Sequence, residues 1–307
     1  MTKVFIDGSA GTTGLRIVDR LSARSDLELL ILPDELRKSP EARADALATA
    51  DIAFLCLPDD AAKESAALAA GSKVKIIDTS TAHRVDPNWV YGMPELAGQT
   101  EKILKSARIA NPGCHASGFV ALVAPLVQQG ILAADAALSC FSLTGYSGGG
   151  KKMIAEYEAE DRNPLLKGPR QYALTQSHKH LKEMVKISGL ETAPVFCPIV
   201  GDFYSGMEVT VTLFTKDIKG TAEDIKKLYS SYYQGGLIRY TEDTDPDGML
   251  SASALAGRDD MTVTVSGNDE RILLVSRFDN LGKGASGAAI QNMNILLGLD
   301  QATGLSV

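Results

Sequence analysis

The chain is short of the residues that build small stapled domains and metal ribbons. Only four cysteines occur, Cys56, Cys114, Cys140 and Cys197, far apart and with no CxxC spacing. That excludes a disulfide framework and a zinc ribbon, and it fits reduced thiols in a cytoplasm. No apolar run approaches the ~20 residues of a membrane span, and the N-terminus enters a strand pattern without signal-peptide features. Neither a membrane partner nor export is expected. Positive charge is in deficit: 31 Lys and Arg against 38 Asp and Glu give a net charge of −7. A basic nucleic-acid surface is thereby excluded, and any phosphate must be held locally. No internal repeat or low-complexity linker is visible. Histidine is also scarce, at four residues, and two of these, His178 and His180, lie two apart in a polar stretch. With no further His or Cys ligand pattern beside them, metal binding is not expected.

What is present is the alternation of an α/β protein. A length of 307 residues suits two domains. Residues 3–7 (KVFID) form a strand pattern that runs into Gly8-Ser9-Ala10-Gly11-Thr12-Thr13-Gly14, followed by apolar residues at helical spacing. Strand, glycine turn and helix together offer backbone N–H groups and a helix N-terminus to a pyrophosphate. The spacing is GxxGxxG, with Ser9 where the usual fingerprint has glycine. A plain tight turn is the competing reading. Apolar strands at 27–32, 50–57 and 74–77, separated by helical segments, imply right-handed crossovers and a parallel sheet. After the second strand, Asp34 could accept from a ribose 2′-OH, whereas Arg37 and Lys38 could pair with a 2′-phosphate. The balance favours NADP. Leu57 and Pro58 end the third strand at the edge where ligands of open sheets bind, so they should border the cofactor. Arg84 follows the fourth strand at the same edge and is a substrate-anion candidate, with a surface ion pair as the alternative.

A further strand at 107–110 delivers Asn111-Pro112-Gly113-Cys114-His115-Ala116-Ser117-Gly118 and then the apolar run 119–127. A thiol in the first turn of a helix meets backbone N–H groups and the positive end of the helix dipole, which favour thiolate. Cys114 is therefore a candidate nucleophile beside the expected nicotinamide site, weighed against the ordinary role of a free cysteine as a small buried hydrophobe. Pro112 and Gly113 make a sharp turn ahead of it, and Ser117 and Gly118 should keep the approach open. From residue 137 the pattern changes to longer strands at 138–144, 195–200, 207–214 and a hairpin at 261–266 and 271–278, with few helices between them. That predicts a mainly antiparallel α+β domain. Ser147, Gly148 and Lys151, in a glycine-rich loop opening a helix, could hold phosphate. The glycine-rich stretch 279–287 leads into an apolar helix whose small residues suit packing on the first domain. The domains are accordingly placed at 1–113 with 284–307, a discontinuous Rossmann-type NADP-binding domain, and at 114–283, an α+β domain headed by Cys114, to which the resemblance described next assigns catalysis and oligomerisation.

Four segments taken together resemble the N-acetyl-gamma-glutamyl-phosphate reductase family in its short form, and more distantly the aspartate-semialdehyde and glyceraldehyde-3-phosphate dehydrogenases. They are NPGCHASG at Cys114, YGMPEL at Tyr91, SHKHLKE at Ser177, and DNLGKGASGAAIQNMN at Asp279. The resemblance covers nearly the whole chain. It implies that Cys114 is the nucleophile, that one of His178 and His180 is the acid/base, that Glu183 serves the substrate site and Asn280 the cofactor site, and that the protein is a homodimer or homotetramer. It also implies NADPH-dependent reduction of an acyl phosphate to an aldehyde. Lys182 stands where family members carry proline, which bears on where the next helix starts. In an extended loop the two histidine rings would point to opposite sides, so only one would face the sulfur, and His178 is the favoured one. Competing readings are an aspartate-semialdehyde dehydrogenase acting on a shorter acyl phosphate, a thiol hydrolase, and an NADP-sensing module with no chemistry at Cys114.

Overall fold

The computed structural model describes all residues, 1–307. The chain divides into two compact units, Met1–Gly113 with Ala285–Leu305, and Cys114–Gly284 with Ser306–Val307. In the first, β1 (Thr2–Asp7), α1 (Thr12–Leu21), β2 (Leu27–Leu30), α2 (Pro40–Thr49), β3 (Ile52–Leu55), α3 (Asp59–Leu68), β4 (Lys75–Asp78), β5 (Val90–Tyr91), α4 (Gln99–Lys105) and β6 (Arg108–Ala110) follow in order. The six strands form one sheet in the order β2-β1-β3-β4-β6-β5, and every pairing is parallel. Parallel crossovers bury both faces, which is why these strands are almost uninterruptedly apolar. Val4, Ile6, Phe54 and Ile77 pack on one side, and Phe5, Ala53, Leu55 and Ile76 on the other.

The second unit begins with α5 (Cys114–Gln128) and continues through β7 (Ser139–Gly145), α6 (Gly150–Glu158), β8 (Arg170–Gln171), α7 (His180–Ser188), β9 (Val195–Gly201), β10 (Met207–Phe214), α8 (Ala222–Tyr232), β11 (Ile238–Tyr240), β12 (Met261–Gly267) and β13 (Arg271–Phe278). Its seven strands run β11-β12-β13-β10-β7-β9-β8. Four pairings are antiparallel and two, β7 with β9 and β11 with β12, are parallel. The sheet is thus mixed with an antiparallel majority. The expectation of few helices fails here, since α6, α7 and α8 all lie between its strands. One face of the sheet carries α5, whose residues from His115 to Leu126 are all buried. Gly118 is required there: a Cβ would come within 2.5 Å of Val209 and 2.9 Å of Phe278. It serves helix-to-sheet packing, and the expected role in keeping the thiol accessible does not apply.

The final helix, α9 (Gly287–Leu296), is buried along its whole length and belongs to the first unit. Ala289, Ile290 and Met293 join the core beside Val4 and Ile6. The last two residues return to the second unit, where Asp259 N donates to Ser306 O at 2.7 Å.

Candidate active site

In the first unit, the turn after β1 is shaped by glycines with separate tasks. Gly8 has φ +85°, and a Cβ on it would lie 2.3 Å from the Cys56 carbonyl. Gly14 lets α1 pack on the same turn, since its Cβ would be 2.3 Å from Gly8 O. Gly11 is the N-cap of α1, with no side chain capping the helix, and a Cβ there would meet nothing closer than 3.4 Å. The first-turn N–H groups at Thr12, Thr13 and Gly14 therefore have no side-chain cap, which is the state that receives an anion. A cleft of about 380 Å³ opens at this point, lined among others by Gly8, Ser9, Ala10, Gly11, Arg37, Lys38, Cys56, Leu57 and Pro58. Backbone donors at one end and two cations at the other fit a dinucleotide carrying an extra phosphate. Arg37 also pairs with Asp34 at 3.1 Å, but Asp34 does not line the cleft. At the floor, burial pushes the Cys56 thiol up to about 12, so it stays protonated and inert.

Behind the turn, Asp7 is buried and accepts from Arg43 Nε at 3.0 Å and Ser65 Oγ at 2.7 Å, which fixes the end of β1. Arg84 is buried as well. Its Nε donates to Asn111 O and its Nη2 to Thr79 O, each at 2.9 Å. Both donors are thus engaged by the backbone on either side of the strand end that leads into Cys114. Asn111 is held further by its N–H on Asp78 O at 2.7 Å and its Nδ2 on Ala285 O at 3.0 Å.

In the second unit, Cys114 is the first residue of α5 and is partly exposed, whereas His115 beside it is 3% exposed. Three histidines converge here. The ring of His115 lies 5.6 Å from that of His178 and 5.5 Å from that of His180, centroid to centroid, and the latter two rings meet at 4.8 Å and 89°. The two rings of the pair do not diverge to opposite sides. Lys179 between them has φ −58° and ψ −28°, a helical conformation, and α7 starts at His180 despite Lys182 in the place of proline. His178 Nδ1 accepts the N–H of His180 at 3.2 Å, so a neutral His178 carries its proton on Nε2. Burial, then the charge of Lys179, lowers the pKa of His178. His115 is pushed down to about 3, by burial first and by His178 and Lys179 after it. The Tyr172 phenol is pushed up by burial and then by the nearby charge of Cys114.

Glu183 is buried in the first turn of α7, and Ser147 is buried after β7, while Gly148 and Lys151 are exposed. Asn280 belongs to the same unit. Its Nδ2 donates to Ser147 Oγ at 3.0 Å and its Oδ1 accepts from Gly206 N at 2.9 Å.

Comparison with known proteins bears on this arrangement. Residues 33–105 match the family described as the semialdehyde dehydrogenase NAD binding domain, and residues 114–280 the semialdehyde dehydrogenase dimerisation domain. N-acetyl-gamma-glutamyl-phosphate reductase 2 of Nostoc sp. is 46% identical, over 99% of both chains. The N-acetyl-gamma-glutamyl-phosphate reductase of Sinorhizobium medicae is 45% identical over 96% of this chain and 98% of its own. The chain belongs to the N-acetyl-gamma-glutamyl-phosphate reductase family. Solved structures extend the likeness at the level of fold alone. Aspartate semialdehyde dehydrogenase II of Vibrio cholerae, solved with ASA, superposes with a TM-score of 0.73 at 17% identity, covering 97% of this chain and 98% of that one. The Candida albicans enzyme, solved with NADP, gives 0.64 at 16%, covering 97% and 99%.

In this member of the N-acetyl-gamma-glutamyl-phosphate reductase family, Gly284 and Tyr172 join the site without having been expected there, and His115, second in line behind His178 and His180 as acid/base, takes a place beside them. Gly284 leaves room for the thiol, since a Cβ there would sit 3.0 Å from Cys114 Cβ. Its signal was available in the repeated glycines after Asn280. His115 and Tyr172 join the histidine cluster through contacts 27 and 57 residues apart in sequence, for which no local signal exists.

Proposed function

We propose that this chain reduces N-acetyl-L-glutamyl 5-phosphate to N-acetyl-L-glutamate 5-semialdehyde with release of phosphate, a step of arginine biosynthesis, through a thioester on Cys114. The observation that carries the reading is identity of 46% over 99% of the chain to a reductase of that name. A thiol at the head of a buried helix, among histidines, supports it. Cys114 Sγ bonds to the acyl carbon as the bond from that carbon to the phosphate oxygen breaks. The backbone N–H groups of the first turn of α5 face the charge that develops, an effect of order 3 kcal/mol where a single such donor has been removed from other enzymes. NADPH, when bound, supplies the hydride that reduces the thioester carbonyl. The histidine, holding as imidazolium the proton that Cys114 lost on becoming thiolate, gives it to the thiohemiacetal oxygen and takes it back as the carbon–sulfur bond breaks, freeing aldehyde and thiolate. His178 is the better candidate for this step, because the bond its Nδ1 accepts from His180 N leaves Nε2 as the nitrogen for proton exchange, and it is less buried than His180, which is 5% exposed.

Residues 1–113 and 285–305 serve as the NADP domain, with Gly8 to Gly14, Leu57 and Pro58 along the dinucleotide and Arg37 and Lys38 on the 2′-phosphate. Both cations line the cleft and Asp34 does not, which favours NADPH over NADH. Residues 114–283 supply catalysis, with Ser147, Gly148, Lys151 and Glu183 as substrate contacts. The sheet face away from α5 exposes Phe141, Val195, Phe214 and Leu273, which suits pairing with a second copy of this chain in a cytoplasmic homodimer. The deciding experiment is oxidation of N-acetyl-glutamate semialdehyde by the purified protein, run with and without NADP and phosphate. Turnover must require both. Faster turnover of aspartate semialdehyde under the same conditions would replace the substrate assignment.

A further inference from the structure

A hydrogen-bonded chain lies beside the thiol that the reaction, as written, does not use. Ser142, on the buried face of β7, meets His115 Nδ1 at 2.6 Å, and His115 Nε2 meets the Tyr172 hydroxyl at 2.7 Å. Ser142 is 0% exposed and His115 3%. A neutral imidazole has one donor and one acceptor. The chain therefore runs in one direction or the other, from serine hydroxyl to phenol oxygen or back, and both ring nitrogens are occupied either way. That geometry leaves His115 no free nitrogen for proton transfer to substrate. It makes His115 a rigid strut.

The ends of the strut belong to different elements. His115 follows Cys114 in the first turn of α5. Tyr172 follows β8 and opens the loop that leads to His178 and α7. This loop is held in an unfavourable shape. Ala173 has φ 52° and Gln176 φ 57°, left-handed conformations that side chains with a Cβ adopt only when the surroundings impose them. The imposing contacts are visible. Gln176 clamps the backbone of Phe196 with both ends of its amide, each at 2.8 Å, and Tyr172 N donates to Pro198 O at 3.1 Å. A loop held this way, tied to α5 through Tyr172, keeps the imidazoles at fixed distances from the turn that carries the sulfur.

We propose that Ser142, His115 and Tyr172 form a positioning unit for the reaction, locking the helix turn that bears Cys114 to the loop that bears His178 and His180. The inference rests on the reading of Cys114 as nucleophile. Its test uses the full chain with Ser142→Ala, Tyr172→Phe and the double variant, each change removing one hydroxyl and keeping the packing around it. Three quantities are measured: kcat, KM for both substrates, and the rate at which iodoacetamide alkylates Cys114 with no substrate present. Misplacement of reacting groups by an ångström costs up to about 100-fold in rate. Tyr172→Phe should lose roughly 10- to 100-fold in kcat with KM within about twofold, and alkylation should slow by about threefold or more. The double variant should fall no lower than the worse single one, because both cut the same chain. Losses that multiply, kcat near wild type in both singles, or a rise in KM with kcat intact would each overturn the proposal. Thermal midpoints establish folding; if Tyr172→Phe does not fold, Ser142→Ala alone decides by the same split of kcat against KM. Should the wild type turn over none of the assumed substrate, the alkylation rates still decide this inference, and unchanged rates in all variants overturn it.

Discussion

Replacing Gly11 with alanine separates the dinucleotide reading of the first turn from the plain-turn reading. The neighbouring glycines are unsuitable for this purpose, because a Cβ at Gly8 or Gly14 would stand 2.3 Å from a backbone oxygen and disturb the fold itself. At Gly11 the nearest atoms to an added Cβ are Gly8 O at 3.4 Å and Cys56 O at 3.7 Å, ordinary contact distances, and the φ of −76° is accessible to alanine. The folded protein should therefore lose less than about 1 kcal/mol, the difference between glycine and alanine at a helix N-cap. The methyl group would stand at the mouth of the cleft, where a phosphate oxygen must come within ~3 Å of an uncapped N–H. Losing one charge-assisted hydrogen bond costs about 1.5 to 3 kcal/mol, which raises Kd roughly 10- to 150-fold. NADPH fluorescence titration against the wild type reads this directly, with a thermal melt as the control for folding. Wild-type affinity in Gly11→Ala, with the melt unchanged, would place the pyrophosphate away from this turn and refute the reasoning.

Arg37→Ala with Lys38→Ala should erode the preference for NADPH over NADH by about tenfold or more through loss of phosphate contacts, with NADH kinetics little changed; an unaltered ratio would return attention to Asp34. Cys114→Ser should fold and bind NADPH yet show no turnover, since a serine hydroxyl has no comparable anion population near neutral pH; measurable kcat near wild type would end the thioester mechanism. His115 should make the second unit acid-sensitive. Burial pushes it from its ordinary 6.5 down to about 3 in the folded chain, so the unfolded chain binds the extra proton in between, and stability falls by about 1.4 kcal/mol per pH unit as pH drops below 6.5. Urea unfolding at pH 7.5 and 5 should show the loss, and His115→Gln should shrink the slope by about one proton; an identical slope in the variant would remove His115 as its source.

The parallel half of the fold was legible because its signals are local. Strands buried on both faces read as apolar runs, and the glycines at 8, 11 and 14 punctuate the first of them. The thiol was legible for the same reason, with Asn111, Pro112 and Gly113 marking a turn directly before an apolar helix. The strands β5, β8 and β11 were missed, and at two or three residues each they are too short to show any period. α8 was missed although it carries a signal: Thr221 and Asp224 form a capping box, and Ile225 and Tyr229 stand one turn apart on its buried side.

The histidine pair shows a different limit. Alternation of side chains holds for extended backbone, and the prediction that only one ring faces the sulfur depended on the loop being extended. The loop is not extended there, because the helical φ and ψ of Lys179 bring the two rings together. Nothing in the sequence around Ser177 announces this, since the expected proline that would mark a helix start is replaced by Lys182. The shape of the loop is imposed from outside it, by Gln176 on Phe196 and by Tyr172 on His115. A site assembled by such long-range contacts can be named from a motif, but its geometry belongs to the fold. For that reason the choice of His178 as acid/base is argued from the bond that its Nδ1 accepts from His180 N, which leaves Nε2 for proton exchange, and not from the two-residue spacing of the pair.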